Sequence, residues 1–135
     1  MSLSAIRIAL ESRLNSIAGA PSIAWENVQF TPTPGTAYQA CYILRAEPDN
    51  ATIGDSFFRE RGIFHINLFY PVGNGANAAE LMASSIRSAF SRGTTLTSGT
   101  TKVNITNTPE VGQGSVDGDR WMVPVKIRWT AGELT

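Results

Sequence analysis

The chain is poor in the side chains that most often carry chemistry. Its 135 residues include a single cysteine, Cys41, and a single histidine, His65. One cysteine excludes an internal disulfide and a multi-cysteine metal cluster, and it fits a reducing compartment. One histidine means that any histidine-based triad must use His65. Its place between Phe64 and Ile66 in an alternating stretch is that of a structural or interface side chain. One His, one Cys and scattered carboxylates are too few soft ligands for a transition-metal site. Net charge is lacking too. Eleven basic and eleven acidic side chains cancel, so no overall field draws the protein to nucleic acid or to an anionic membrane. No apolar run approaches the roughly 18 residues a membrane span requires. The N-terminus, interrupted by Arg7, Glu11 and Arg13, reads as neither signal peptide nor anchor. The expectation is a cytosolic protein without cofactor or metal, and the length fits one ordinary domain over residues 1–135.

What the chain does have is a clear organising stretch from Gly62 to Gly93. Phe64, Ile66, Leu68 and Tyr70 alternate with His65, Asn67 and Phe69, the period of a strand with one apolar and one mixed face. Pro71 ends it, the Gly73-Asn74-Gly75 turn follows, and Asn77 with Glu80 has the spacing of a capping box at a helix start. Ala78, Met82, Ile86, Ala89 and Phe90 then fall on one arc of an amphipathic helix, with Gly93 placed as its C-cap.

Around this unit the other elements are read in order. Leu3, Ile6, Leu10, Leu14 and Ile17 recur at helical spacing, and Gly19 and Pro21 stop that helix. Residues 21–37 have neither period and predict a surface path, pinned to its own domain by Trp25, Val28 and Phe30. Tyr38 to Arg45 alternates as a strand, and the polar residues 47–57 connect it to the next one, which Phe58 to Arg61 extend outward. Lys102 to Thr106 is a short strand. Trp121, Val123, Val125, Ile127 and Trp129 alternate in the last, where Pro124 argues for an edge position or a bulge. Asn107 to Asp119 reads as a long, glycine-rich, acidic loop. The expected fold is α+β: a single mainly antiparallel or mixed sheet of about four strands, with two helices packed on one face.

No motif assigns an enzyme. The Gly73-Asn74-Gly75 turn before a helix invites comparison with a phosphate cradle. A P-loop, however, needs a Lys-Ser/Thr pair where this chain has alanines and asparagine. A dinucleotide fingerprint needs a third glycine and a later acidic residue that are not evident. Asp117-Gly118-Asp119 is far from a calcium loop and reads as a turn.

Several short motifs, in order, carry a resemblance over nearly the whole chain. They are the N-terminal IxxALxxRL pattern, Trp25-Glu26-Asn27-Val28 with Phe30-Thr31-Pro32 and Gly35, and Gly62-Ile63 leading through Leu68-Phe69-Tyr70-Pro71 to Gly73 and Gly75. Phe90 with Arg92-Gly93-Thr94 and Val123-Pro124-Val125 with Ile127 follow. Together they resemble the tail-terminator-like proteins of long-tailed phages. That resemblance implies a virion structural protein, made in the host cytoplasm, that forms a ring, typically a hexamer, on the head-proximal end of the tail tube. Its partners would be other copies of itself, the major tail tube protein and a head-completion or connector protein, with genome DNA passing through the lumen without specific binding. The family has no catalytic residues to transfer. Candidate contact residues, chosen from the polar loops, the mixed strand face and the last strand, are Glu110, Asp117, Asp119, Arg59, Arg61, Lys126 and Arg128. The alternatives are another neck or head-completion component of the virion, or a small-ligand-binding α+β domain that uses the glycine turn.

Overall fold

The computed structural model describes residues 3–50 and 57–134. Of the connection expected over 47–57, residues 51–56 lie outside the described residues. Helix α1 spans Leu3–Asn15 and strand β1 Ser22–Ala24. Strands β2, Tyr38–Arg45, and β3, Phe57–Pro71, precede helix α2, Asn77–Ala89. The remaining strands are β4, Thr95–Ser98; β5, Thr101–Ile105; β6, Glu110–Val111; β7, Ser115–Asp117; and β8, Arg120–Leu134.

This architecture corrects the expected fold. Among the described residues there are two helices and eight strands in one large, curled, mixed sheet, mostly β rather than a four-stranded sheet carrying two helices. Its path is β1-β2-β3-β8-β5-β4, with β6 and β7 also paired to β8. The mixed character comes from β1, which runs parallel to β2 through Ser22↔Tyr38 to Ala24↔Ala40.

Strand β8 is the spine. One side pairs with β3 over its whole length, from Pro71↔Arg120 to Phe57↔Leu134. The other side meets β7, then β6, then β5 in succession. The last strand is therefore central, not an edge. Pro124 is tolerated there because its carbonyl accepts from Gly112 N–H at 2.8 Å. A residue's N and O point to the same side of a strand, so the missing donor faces the gap between β6 and β7 instead of the β3 ladder. The stretch expected as a structureless loop over 107–119 is correspondingly organised, with β6 and β7 laid along β8.

Alternation decides what is buried. Cys41 and Ile43, Phe64, Ile66 and Leu68, and Val125, Ile127 and Trp129 share one sheet face through the registers Cys41↔Ile66↔Val125 and Ile43↔Phe64↔Ile127. Helix α1 packs on β4 and β5, and α2 on β3. They bring Leu10, Leu14, Ile86 and Phe90 into the same core, where each buried large side chain contributes on the order of 1.5–3 kcal/mol. Burial pushes the Cys41 thiol up to about 12, so it stays an uncharged core group.

The join between β3 and α2 uses glycine for its backbone. Gly73 and Gly75 sit at φ +91° and +79°, with no atom within 4 Å of a Cβ at either. The expected capping box does not form. Ala76 is the N-cap, already near helical geometry at φ −99° and ψ −8°, with no side-chain cap. The turn thus delivers Asn77 one residue inside the helix, where its side chain cannot reach the N-terminal N–H groups. Gly93 lies beyond the helix cap, Phe90, and its N–H instead bonds Ile105 O at 2.8 Å.

Candidate functional site

The residues of opposite parity form a second sheet face that the two helices do not cover. Its rows are Tyr38↔Phe69↔Met122, Tyr42↔His65↔Lys126 and Leu44↔Ile63↔Arg128. Aromatic pairs order it. Tyr38 stacks on Phe69 with centroids 4.7 Å apart and planes 13° apart, Tyr42 stacks on His65 at 4.8 Å, and Phe30 reaches Tyr38 at 5.2 Å. Such offset stacks fix side-chain orientation on an otherwise open surface. Phe30 and Trp25 pin residues 21–37 as expected, whereas Val28 is exposed.

His65 is structural. Its Nε2 lies 2.9 Å from Asn67 Oδ1, while Nδ1 is buried and unpartnered among the described residues. Burial holds its pKa below the ordinary value, Lys126 adds to that depression, and the Asn67 contact opposes it.

Charges of both signs are spread along this face. At one end Asp117 pairs in register with Arg120 across a turn formed by Gly118 and Asp119. Arg120 is only 6% exposed. Its guanidinium donates to Thr36 O and, at 2.8 Å, to Thr33 O, lies 5.0 Å from the Tyr38 ring centroid, and approaches Asp119 at 3.7 Å. It therefore ties the proline-rich segment 31–37 to the start of β8. A concavity of about 230 Å³ lies here, between Pro32, Pro34, Tyr38 and Phe69, with Asp117 and Asp119 beside it. On the other side of the same hairpin, Val72, Val116 and Trp121 line an apolar concavity of about 310 Å³. Gly114 makes room for the Trp121 ring, since a Cβ there would fall 2.3 Å from Cζ2.

The other end carries both signs of charge. Arg61 Nε donates to Glu47 O at 3.0 Å, and Arg59 lies 3.7 Å from Asp49, whose backbone it also bridges. Leu44 is exposed beside them. Between the two ends, Glu110 stands opposite Lys126 and accepts from Arg128 Nη1 at 3.1 Å. The structure therefore brings Arg59, Arg61, Lys126, Arg128, Glu110 and Asp117 onto one face by strand parity, with Asp119 in the turn at its end. Glu110 and Arg128 satisfy each other, while Lys126 makes no ion pair among the described residues.

Two side chains with structural work on this scaffold carry no sequence signature of it. Arg120 follows an Asp-Gly-Asp turn, and only its buried position reveals it as a tether. Glu26 accepts from Ile43 N–H at 3.1 Å and from Arg7 Nη1 at 2.9 Å, covering the outer edge of β2. Burial raises the Glu26 pKa, but the Ile43 and Arg7 contacts outweigh it and hold the carboxyl below its ordinary value.

Among the described residues no group of His, Cys, Asp and Glu is placed to hold a metal, and no helix is long and apolar enough to cross a membrane. The fold and its open face define a single-sheet β scaffold that spreads its polar side chains across a surface instead of gathering them in a cleft.

Comparison with known proteins sharpens that class. The family model described as phage tail terminator protein matches residues 5–129, and the chain belongs to that family. The family is one of structural proteins, and membership makes this chain a virion component of the phage tail. No curated protein matches. A solved structure of an uncharacterised protein is similar at 27% identity and a TM-score of 0.79, covering 97% of this chain and 96% of its own.

Proposed function

We propose that the chain terminates the tail tube. Copies assemble as a ring, a hexamer by the family resemblance, on the head-proximal end, stop tube polymerisation and present the surface on which the head connector docks. The observation that carries this reading is the family match across 5–129, which takes in the second helix, most of the first and nearly the whole sheet. An open sheet face that spreads charged and aromatic side chains over its surface supports it, because a ring subunit must offer different patches to its two neighbours. The zero net charge agrees with a lumen that passes DNA without gripping its phosphates.

The test is electron microscopy of the purified protein mixed with tail tubes, together with tails made in its absence. A cap at one end of the tube, and overlong tails without the protein, are the expected results. Tails of normal length that fail to join heads would replace this reading with a neck or head-completion role.

A further inference from the structure

We propose that the outer edge of β4 is a docking strip for an extended, acidic segment of a partner polypeptide, which joins the sheet there as a further strand. The contact goes beyond the terminator reading and does not depend on it.

The edge is open. Strand β4 ends the sheet path, with β5 on one side and no strand on the other among the described residues. Ile105 N–H donates to Thr94 O at 2.9 Å, which fixes Thr94 as facing β5. Antiparallel alternation then turns the N–H and C=O groups of Thr95 and Thr97 outward, and both residues are exposed. Thr95–Ser98 contains no proline and no charged side chain, the residues that commonly blunt an edge. The opposite margin of the sheet is treated differently. There the Glu26 carboxylate accepts from Ile43 N–H at 3.1 Å and occupies it.

Charge decides what the edge accepts. Helix α1 runs beside β4, and a concavity of about 270 Å³ between them is lined by Ser12, Arg13, Ser16, Thr95 and Thr97. Arg13 is the one charged side chain among its described lining residues. Its Nε is anchored on Ala89 O at 2.8 Å, which leaves the terminal nitrogens without a partner among the described residues. Glu11, on the same helix, pairs with Arg7 instead. Residues 81–109 contain no Asp or Glu, whereas Arg87, Arg92 and Lys102 fall within them. Lys102 stands in register with Thr97, and neither it nor Arg92 makes an ion pair among the described residues.

An incoming strand lies about 4.8 Å from β4. Its alternate side chains on the Leu96 side enter the concavity beside Arg13, and those between them lie on the face that carries Lys102. Carboxylates at these places meet cations that the fold leaves unpaired, while the backbone completes bonds to Thr95 and Thr97. An edge this short makes few ladder bonds, so charge has to supply the selectivity. The chain's own outlying strands do not offer such a segment. Ser22–Ala24 has no charged residue, Glu110 on β6 is taken by Arg128, and Asp117 on β7 stands in register with Arg120. The occupant is therefore another protein.

The experiment uses the full chain and a short synthetic peptide of alternating valine and glutamate, with binding read by fluorescence anisotropy and amide exchange by NMR. The peptide is expected to bind and to slow exchange at the Thr95 and Thr97 amides. Lysine in place of each glutamate abolishes binding, and Arg13→Gln weakens it about fivefold. Thr97→Pro removes an outward donor without touching the β5 ladder, and it too weakens binding in a folded protein. Should that variant unfold, the exchange measurement on the wild-type chain decides in its place. No binding at about 1 mM peptide, equal binding of the lysine peptide, or binding that leaves Thr95 and Thr97 unprotected overturns the proposal. A DNA duplex that binds through Arg92 and Lys102 where the peptide does not bind would assign the patch to phosphates, and overturns it as well.

Discussion

Gly62 is the position where one methyl group should do most damage. It lies mid-sheet, paired with Arg45 on β2 and Trp129 on β8. A Cβ there would stand 2.3 Å from Leu44 O, 3.0 Å from Trp129 Cζ2 and 3.3 Å from Arg45 Cα. The nearest of these is a backbone carbonyl held in the β2–β3 ladder, so relief requires β2 to retreat by more than an ångström while Trp129 also shifts. Overpacking of this kind costs about 2–3 kcal/mol, or a fall in Tm of roughly 8–12 °C for a domain of this size. Equilibrium urea unfolding followed by tryptophan fluorescence measures it directly, since Trp129 is buried in the core. The reason for glycine is space here but conformation at Gly73, where φ is +91° and nothing lies within 4 Å. Gly73→Ala should cost about 1 kcal/mol. The asparagine variants separate the two causes. Gly73→Asn should recover part of the alanine loss, because Asn tolerates the left-handed region, while Gly62→Asn should be worse than Gly62→Ala. A Gly62→Ala protein within about 1 kcal/mol of wild type, or a Gly62→Asn protein no worse than it, would refute the reasoning.

Two further outcomes follow from the same geometry. Arg120→Met keeps the packing of the side-chain stem but removes its bonds to the Thr33 and Thr36 carbonyls, at a cost of about 1.5–3 kcal/mol. Those carbonyls belong to exposed residues, so the loss should concentrate in the tether, and limited proteolysis within residues 31–37 should accelerate. A segment as protected as in wild type would mean that Arg120 does not hold it. For His65 the folded pKa lies below its ordinary 6.5, so the unfolded chain takes up the proton first. Stability is full above pH 6.5 and falls as pH drops from there through the folded value. His65→Gln should therefore flatten the decline in Tm between about pH 7 and pH 5, and an unchanged slope would exclude His65 as its source.

Alternation made the long strands legible in the sequence. The bounds Tyr38–Arg45 follow from Tyr38, Ala40, Tyr42 and Leu44 alone, and the core side of β3 follows from Phe64, Ile66 and Leu68. Short strands escaped because they carry too few residues to show a period. Glu110–Val111 and Ser115–Asp117 are strands only because β8 lies alongside, and Thr95–Ser98 offers Leu96 as its one buried apolar side chain. Pro124 misled for a related reason, since its missing donor marks an edge only if no gap between partner strands is available to absorb it. The charged residues of the candidate face were visible singly. Their common side depends on registers such as Glu110↔Lys126 and Asp117↔Arg120, which no local pattern encodes.

The central place of β8 also sets when this protein can fold. While a ribosome is still making residues before 120, the 15-residue β3 has a partner on one side only, and β5, β6 and β7 have lost their shared neighbour. The sheet is then two fragments with long unpaired edges, the form most open to pairing with other chains. Its closing contacts join residues as far apart in sequence as Phe57 and Leu134, which makes folding slow relative to proteins held by local contacts. A chain truncated before β8 is thus expected to be handled as unfolded polypeptide. Premature termination near the 3′ end of the coding sequence would remove the protein entirely instead of leaving a shortened, partly active one.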